Sequence, residues 1–248
     1  MLMVWVIGWG MMAEKSKIEW TDASWNPTTG CTKVSEGCRN CYAETLALRL
    51  QKTGSHRYRN GFKLTLHPEV LNLPLKWKQP KKIFVDSMSD LFHKDIPFEF
   101  IDKVWEIMME ADWHIYQILT KRPERMLKYI QRQHFIYNHI WLGTSVENQR
   151  TKHRIDTLRQ IPAEIRFLSL EPLLEDLGEL NLEGIHWIIV GGESGKNHRT
   201  FKEEWALNIL KQCREQNVPF FFKQVGGITS KSGRRLLQGK VYDEYPKF

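Results

Sequence analysis

The stretch "TGCTKVSEGCRNCYAE", residues 29–44, holds three of the four cysteines of the chain. Cys31, Cys38 and Cys41 follow a C-x6-C-x2-C pattern, and Cys213 lies far away in the sequence. Thiolates that converge on one loop repel each other unless a soft cation neutralises them, so the pattern favours a metal centre over redox or nucleophilic catalysis. We therefore predict that these three cysteines are metal ligands and that Cys213 is a small buried apolar residue on a helix.

Two metal groups are compatible with this loop. A structural zinc ion needs four protein ligands, and the nearest candidates for the fourth are His56 and His67, in a basic and irregular segment. A [4Fe–4S] cluster bound by three cysteines instead leaves one iron open to a small ligand. The residues by themselves leave both alternatives open.

Composition and charge set the broad class of the protein. The chain has 248 residues, of which 42% are hydrophobic and 26% charged, enough for a full core. Four unevenly spaced cysteines in a chain of this length are not typical of a secreted disulfide scaffold, so we predict a reducing, cytoplasmic location. The net charge of +7 favours an anionic partner.

The first twelve residues, "MLMVWVIGWGMM", are apolar but differ from known membrane or export signals. They are fewer than the roughly 20 residues that span a bilayer, and no basic residue precedes them as in a signal peptide. We predict no membrane association. We interpret residues 1–12 as a non-native or mis-started extension and residues 13–248 as a single domain.

Short apolar runs alternate with segments long enough to form helices. Helical periodicity is clear in "PFEFIDKVWEIMMEA" (97–111) and "EEWALNILKQCREQN" (203–217). We predict eight strands, of which the first is Ile18–Trp20, just before the cysteines. Alternation of this kind indicates an α/β fold with parallel strands and helices outside, here a full or partial TIM-like (β/α) barrel. The seven other predicted strands are Lys63–Leu66, Lys81–Val85, His114–Leu119, Ile140–Leu142, Ile165–Leu168, His186–Val190 and Pro219–Phe222.

Polar residues that follow these strands are the candidate site residues, because parallel α/β folds place their chemistry at the carboxyl ends of the strands. In "GTSVENQR" (143–150), the spacing of Thr144 and Glu147 also fits a capping box, which would explain both residues without a ligand. The glycines of "VGGESG" (190–195) indicate close approach of the backbone to another group. The predicted cofactor-binding residues are Ser87, Ser89, Asp90, Ser145, Glu147, Gly191, Gly192 and Glu193.

Three further strand-end residues are candidates for catalysis. Lys121 and Arg122 stand beside a predicted helix start at Pro123, where two cations suit a carboxylate or phosphate, although a solvated basic turn is the alternative. Glu171 in "SLEPLL" (168–173) follows an apolar strand, so its carboxylate either points to the mouth of the barrel or forms a buried ion pair, and its location favours the mouth. A different hypothesis makes Asp90, His93 and Glu171 a hydrolytic metal site with purely structural cysteines.

The cysteine loop resembles the cluster-binding loop of the radical S-adenosylmethionine enzymes, in which three cysteines follow the first strand of a full or partial barrel. The usual spacing there is C-x3-C-x2-C, so the second gap matches and the first is three residues longer. From Lys17 onward the chain also resembles a family of phage and bacterial three-cysteine proteins of uncharacterised function related to these barrels. The blocks that carry this resemblance include "FVDSMSDLFH", "LTKRPERM", "GTSVENQR", "SLEPLL", "VGGESG" and "FKQVGG".

The resemblance implies a cofactor and an activity. Cys31, Cys38 and Cys41 would ligate three irons of a [4Fe–4S] cluster, and S-adenosylmethionine would chelate the fourth and yield a 5′-deoxyadenosyl radical. It also implies a reductant protein such as flavodoxin or ferredoxin, and a further partner protein is possible. From the charge and the phage distribution we expect a nucleotide, a modified base or a nucleic acid as substrate. The alternative function is a zinc-stabilised, non-catalytic nucleic-acid-binding protein of phage origin.

Overall fold

The computed structural model describes residues 16–132, 136–229 and 232–247. The predicted extension, residues 1–12, lies outside the described residues. The strands are β1 (Ala23–Trp25), β2 (Thr28–Thr29), β3 (Thr65–Leu66), β4 (Lys82–Val85), β5 (Ile115–Thr120), β6 (Ile140–Ser145), β7 (Arg166–Leu170), β8 (Trp187–Gly191) and β9 (Phe220–Gln224). The helices are α1 (Tyr42–Lys52), α2 (Phe98–Glu110), α3 (Pro123–Ile130), α4 (His153–Arg159) and α5 (Glu203–Glu215).

Seven of the strands form one parallel sheet in the order β1-β4-β5-β6-β7-β8-β9. The order of these strands in the sheet is the same as their order along the chain, as in a β/α barrel. Within the described ranges β1 and β9 do not pair with each other, so the sheet curls into an open half-barrel. The predicted α/β fold is confirmed in its partial form.

Two of the predicted strands are wrong. Ile18–Trp20 is not a strand, and the first strand of the sheet is Ala23–Trp25 instead. Trp20 is buried without being part of a strand, and its ring centroid lies 4.7 Å from that of Phe84. The predicted strand Lys63–Leu66 contributes only β3, which pairs antiparallel with β2 in a separate two-stranded sheet.

The side chains on the two faces of the half-barrel sheet pack into two separate apolar clusters. On the outer face the apolar side chains of the strands join those of the helices in one core. Phe100 and Val104 of α2 and Ile209 and Cys213 of α5 are buried there, as their helical spacing predicts. The inner face carries a second cluster, which we name the aromatic floor. Its rings belong to Trp20, Phe84, Trp141, Phe167, Trp187 and Phe221.

The C-terminal segment closes the half-barrel at the amino ends of the strands. Tyr245 stacks on Trp187 with ring centroids 5.1 Å apart, and the indole N–H of Trp187 donates to the Glu244 carbonyl at 2.7 Å. A groove of about 890 Å³ lies at this same end, lined by residues that precede β7, β8 and β9. The interior is therefore filled at the amino end, and polar side chains concentrate at the carboxyl end, where the cysteines lie.

No described helix is both long and apolar enough to cross a lipid bilayer.

Candidate functional site

The turn after β4 holds the base of the cysteine loop. The Ser89 hydroxyl donates to the Gly30 carbonyl at 2.6 Å, and the Gly30 N–H donates to the Met88 carbonyl at 3.0 Å. The Ser87 hydroxyl donates to the side-chain oxygen of Asn26 at 3.1 Å. Ser87 and Ser89 thus support the approach to Cys31, and their predicted contact with a cofactor stays a prediction.

Asp86 stabilises the same turn through hydrogen bonds with Thr28. It has a left-handed φ of +58° and is almost fully buried. Its carboxyl oxygens accept hydrogen bonds from the Thr28 N–H at 3.0 Å and the Thr28 hydroxyl at 2.9 Å. Burial raises the pKa of Asp86 to about 8, against the opposing effect of these two bonds.

Arg122 joins the end of β5 to the first cysteine. Its guanidinium lies 2.7 Å from the Asp90 carboxylate and 3.6 Å from the Cys31 sulfur, and it donates to the Thr32 carbonyl at 2.9 Å. Burial lowers the pKa of Arg122, but Asp90 and Cys31 outweigh it and raise the value overall. The structure therefore places Arg122 and Asp90 as supports of the loop, next to one candidate ligand.

His93 supports the loop from another direction. Its Nε2 lies 2.8 Å from the Thr32 hydroxyl, and its Nδ1 accepts the Asp95 N–H at 3.2 Å. Both ring nitrogens are engaged, and the Asp90 carboxylate faces Arg122. The hydrolytic metal site of Asp90, His93 and Glu171 is not assembled, because no three His, Cys, Asp or Glu side chains among the described residues are grouped to hold one metal ion.

Glu147 is a fully buried carboxylate on which the middle of the cysteine loop docks. It accepts the Ser35 hydroxyl at 2.7 Å, pairs with Lys121, and lies 3.1 Å from Arg154. Burial raises its pKa, but Lys121 and Arg154 outweigh burial and hold the pKa of Glu147 below its ordinary value. Gly37 lies against this carboxylate so closely that a Cβ there would be 2.5 Å from Oε1.

The predicted capping box of Thr144 and Glu147 is wrong. Thr144 lies within β6 and its hydroxyl donates to the Thr120 carbonyl at 2.9 Å. The reciprocal capping bonds are formed by Asn148 and Thr151, four positions further along the chain. The carboxylate of Glu147 takes no part in capping and instead accepts a hydrogen bond from Ser35 of the cysteine loop. Ser145 is buried, and its carbonyl accepts the Arg154 guanidinium at 2.8 Å.

Asn40 ties the last part of the loop to the end of β8. Its amide donates to the Glu193 carboxylate at 2.9 Å. Arg199 donates to both oxygens of the same carboxylate, at 3.0 Å from Nε and 2.6 Å from Nη2. Burial opposes the charge on Glu193, but these hydrogen bonds hold its pKa below the ordinary value. Glu193 is therefore ionised and fixes the position of the residue just before Cys41.

The three loop cysteines are free thiols of intermediate exposure, and Cys213 is buried. Burial raises the pKa of Cys31 to about 11 and also raises the pKa of Cys41, and the proximity of Cys38 adds to both. Two of the three side chains therefore favour the neutral thiol, and a soft metal group is the kind of partner that would bind all three as thiolates. In a cubane cluster each cysteine ligates a different iron, so the three thiols need not converge on one ion.

The two histidines considered as a fourth zinc ligand are engaged elsewhere. His67 is buried, with Nε2 2.8 Å from the Thr29 hydroxyl and Nδ1 3.1 Å from the Glu69 carboxylate. His56 is exposed and its Nε2 lies 3.0 Å from the Arg59 guanidinium. The donor set that the loop offers is therefore three thiols, which fits a cluster with an open iron better than a four-ligand zinc site.

Glu171 lies on the inner face of the half-barrel, one position beyond the end of β7. Its carboxylate accepts the Ser169 hydroxyl at 3.2 Å and pairs with Lys223 at 3.1 Å. Gly191 gives this carboxylate its space, because a Cβ there would collide with Oε1. A Cβ at Gly192 would collide with the Val225 carbonyl. Both glycines thus allow the close approach that their sequence predicts, but with protein groups as partners.

A family model described as a protein of unknown function (DUF5131) matches residues 15–246. The chain belongs to this family. No curated protein matches the chain. The predicted membership of an uncharacterised family is confirmed, and the phage origin stays a prediction.

Solved structures of one enzyme share the fold. Spore photoproduct lyase complexed with dinucleoside spore photoproduct matches with a TM-score of 0.50 and 13% identity, over 81% of this chain and 63% of that chain. A single-site mutant of the lyase gives the same values. The chain thus spans about 63% of the length of the lyase. The likeness shows the fold, which is a partial TIM-like β/α barrel.

The sequence did not predict several residues that the structure places in the candidate site. Ser35 and Asn40 lie between the cysteines, where only the thiols draw attention. Arg154 lies on α4 and reaches back to Glu147. Lys223 had a usable signal, because it follows Phe221 by two residues in "FFFKQ" and so shares its inward-facing side of β9.

Proposed function

We propose that the protein is a radical S-adenosylmethionine enzyme whose [4Fe–4S] cluster is bound by Cys31, Cys38 and Cys41. The observation that carries this proposal is the cysteine loop itself, which offers three thiols at the carboxyl edge of an open β/α half-barrel. A cluster held there would supply the electron that cleaves S-adenosylmethionine to methionine and a 5′-deoxyadenosyl radical. The electron would come from a reductant protein such as flavodoxin or ferredoxin.

The protein residues hold the loop in a fixed shape at three points. Arg122 and His93 fix its beginning at Thr32, Glu147 fixes its middle at Ser35, and Glu193 fixes its end at Asn40. These supports follow four different strands, so the loop is positioned by the whole sheet. Rigid support of this kind is what a cluster ligand set needs to keep one iron accessible.

The interior next to the loop is suited to orient a polar substrate. Glu171 and Lys223 place a carboxylate and an ammonium on the inner face, on the carboxyl side of the aromatic floor. Both can bind hydrogen-bonding groups of a substrate such as the edge of a base. We propose Glu171 and Lys223 as substrate-binding residues. Backbone groups at Gly191 and Gly192, and the side chains of Ser145, Ser87 and Ser89, are proposed to border the cofactor.

We further propose that the substrate is a nucleotide, a modified base or a nucleic acid. The net charge of +7 favours a polyanion. Spore photoproduct lyase, which shares the fold, has been solved with a dinucleoside photoproduct. A planar base fits the combination of an apolar aromatic floor and a few polar groups at the mouth.

The test is reconstitution of the protein with iron and sulfide without oxygen, followed by iron analysis and an assay for 5′-deoxyadenosine. We expect about four irons per chain, as for one cubane cluster, and dithionite-dependent release of 5′-deoxyadenosine from S-adenosylmethionine. Cys38→Ala should lose both. Cys213→Ala is the matched control and should retain both, because Cys213 is buried in the outer core. A colourless protein that holds one zinc ion would overturn the proposal.

A further inference from the structure

Two segments of the chain are rich in positive charge and free of acids, residues 45–68 and residues 216–242, and the first lies against the cysteine loop. Residues 45–68 contain five Lys and Arg side chains and no Asp or Glu. Residues 216–242 also contain five Lys and Arg and no acid, so each of the two segments has a formal charge of +5. A cluster of cations without acids is the electrostatic signature of a surface that binds a polyanion.

The cations of this segment are exposed and available. Arg49, Lys52, Arg59 and Lys63 are all exposed. Within the described ranges of the chain none of them forms an ion pair with a carboxylate. The Arg59 guanidinium lies 3.0 Å from Nε2 of the neighbouring His56. Their charge is not neutralised by the protein, so it remains to attract an external anion.

The segment is more than a connection between strands. β1 and β4 are neighbours in the sheet, and a single helix would suffice to join them. The chain instead adds β2 before α1, and irregular turns and β3 after it. Gln51 of α1 donates to the Arg59 carbonyl at 2.9 Å, so helix and turns form one surface.

This surface is attached directly to the cysteine loop. The Cys31 N–H donates to the Phe62 carbonyl at 3.3 Å, and Gly30 lies directly against the Lys63 carbonyl. α1 itself begins immediately after Cys41. A polymer on the segment would thus pass beside the mouth of the half-barrel. On α1, the exposed ring of Tyr42 offers a face on which a base can stack, and the exposed Leu48 side chain adds apolar area.

We propose that the basic surface formed by Arg49, Lys52, Arg59 and Lys63 binds the phosphodiester backbone of a nucleic acid and holds it across the cysteine loop. The inference rests on the proposed function for its claim that the bound polymer is the substrate. The cations give affinity without reading sequence, because they contact phosphates. Selection of the modified nucleotide then belongs to the interior of the half-barrel.

The test compares two triple variants of the full chain by fluorescence anisotropy. The first is Arg49→Gln, Lys52→Gln and Lys63→Gln. The matched control is Lys76→Gln, Lys103→Gln and Lys128→Gln, which removes three exposed cations remote in sequence from the cysteine loop. The probes are a labelled DNA single strand, the corresponding duplex and the corresponding RNA, titrated between about 50 and about 200 mM salt. Melting temperatures of both variants show that they remain folded.

We expect the first variant to reduce the slope of log K against log salt by about 3, roughly 1 for each cation removed. The control should keep the slope of the unmodified protein. The tightest of the three probes identifies which nucleic acid the surface accepts. Equal slopes for the two variants, or no salt-dependent binding of any probe, would overturn the inference. Binding that depends on the surface in a protein that never cleaves S-adenosylmethionine would overturn the proposed function and leave this surface standing.

Discussion

At the scale of single residues, the structure explains why two buried carboxyl groups next to the cysteines differ in charge. Asp86 and Glu147 are both almost completely buried. Glu147 faces Lys121 and Arg154, so it remains ionised. Asp86 accepts bonds from the neutral groups of Thr28, and burial raises its pKa to about 8. Ionic partners decide the difference.

Asp86 gives a prediction for the pH dependence of stability. Its folded-state pKa of about 8 lies above the unfolded value of about 3.9, so the folded state binds the proton more tightly. The free energy of unfolding should therefore fall as the pH rises from about 5 to about 8, by at most about 1.4 kcal/mol per pH unit from this group. Asp86→Asn should flatten this dependence and keep the fold, because asparagine also tolerates positive φ.

Urea unfolding of both proteins at several pH values measures this difference. Parallel pH profiles for the original chain and Asp86→Asn would show that Asp86 is ionised in the folded protein.

Glu147→Gln should be strongly destabilising. The change leaves Lys121 and Arg154 without their anionic partner in a buried place, which costs about 3 kcal/mol in the free energy of unfolding at pH 7. Because the folded pKa of Glu147 is depressed, its contribution is present above the unfolded value of about 4.3 and is lost as the pH falls through the folded value. The gap between the two proteins should therefore narrow in acid.

The matched control for this change is Glu124→Gln. Glu124 is exposed and lies 3.9 Å from His153, so the control should change stability by less than about 0.5 kcal/mol. Similar losses in the two variants, measured by urea unfolding, would contradict the role given to Glu147.

At the scale of elements, the cysteine loop depends on a tight fit against Glu147, in the segment that follows β6. A Cβ on Gly37 would lie 2.5 Å from Oε1 of Glu147, and that carboxylate is held by several partners and cannot move away. Gly37→Ala should cost about 1–3 kcal/mol through this overlap. It should also lower the iron retained after reconstitution and desalting.

Glu36→Ala is the control for Gly37→Ala, because Glu36 is exposed on the same loop. It should retain the iron content of the original chain. If both variants keep the same iron, the contact between the loop and Glu147 does not support the ligands.

The sequence predicts the elements of the sheet unevenly. Six strands, β4 to β9, lie where continuous apolar runs place them, because a strand buried on both faces has only apolar residues to choose from. β1 was misplaced because Ile18 and Trp20 are apolar for another reason, packing on the aromatic floor. Apolar character reports burial, and only the pairing with β4 shows which buried residues form the strand.

The candidate site shows the same limit. Spacing alone picks out the cysteines, and the strand-end rule picks out Glu147, Glu171 and Glu193. Their partners Arg154, Lys223 and Arg199 are common surface residue types, and nothing local marks them as partners. The contact of Glu171 with Lys223 joins the end of β7 to β9 and depends on the curvature of the sheet. Arg154 and Arg199 lie only seven and six positions from their partners, but the turns that bring them back have no recognisable sequence pattern.

At the scale of the whole molecule, the half-barrel has two ends with different tasks. The amino end is filled by the aromatic floor and the C-terminal segment. The carboxyl end gathers polar side chains from the strand ends around one loop with three thiols. This polarity is the general arrangement of β/α folds, in which one end gives stability and the other chemistry.

The electron paramagnetic resonance spectrum of the reconstituted, dithionite-reduced protein tests the central claim most directly. It is recorded before and after addition of S-adenosylmethionine. The account predicts the signal of a reduced [4Fe–4S] cluster that changes when S-adenosylmethionine binds the open iron, and no such signal in Cys38→Ala. A cluster signal that S-adenosylmethionine leaves unchanged, or no cluster signal in the original chain, would contradict the account.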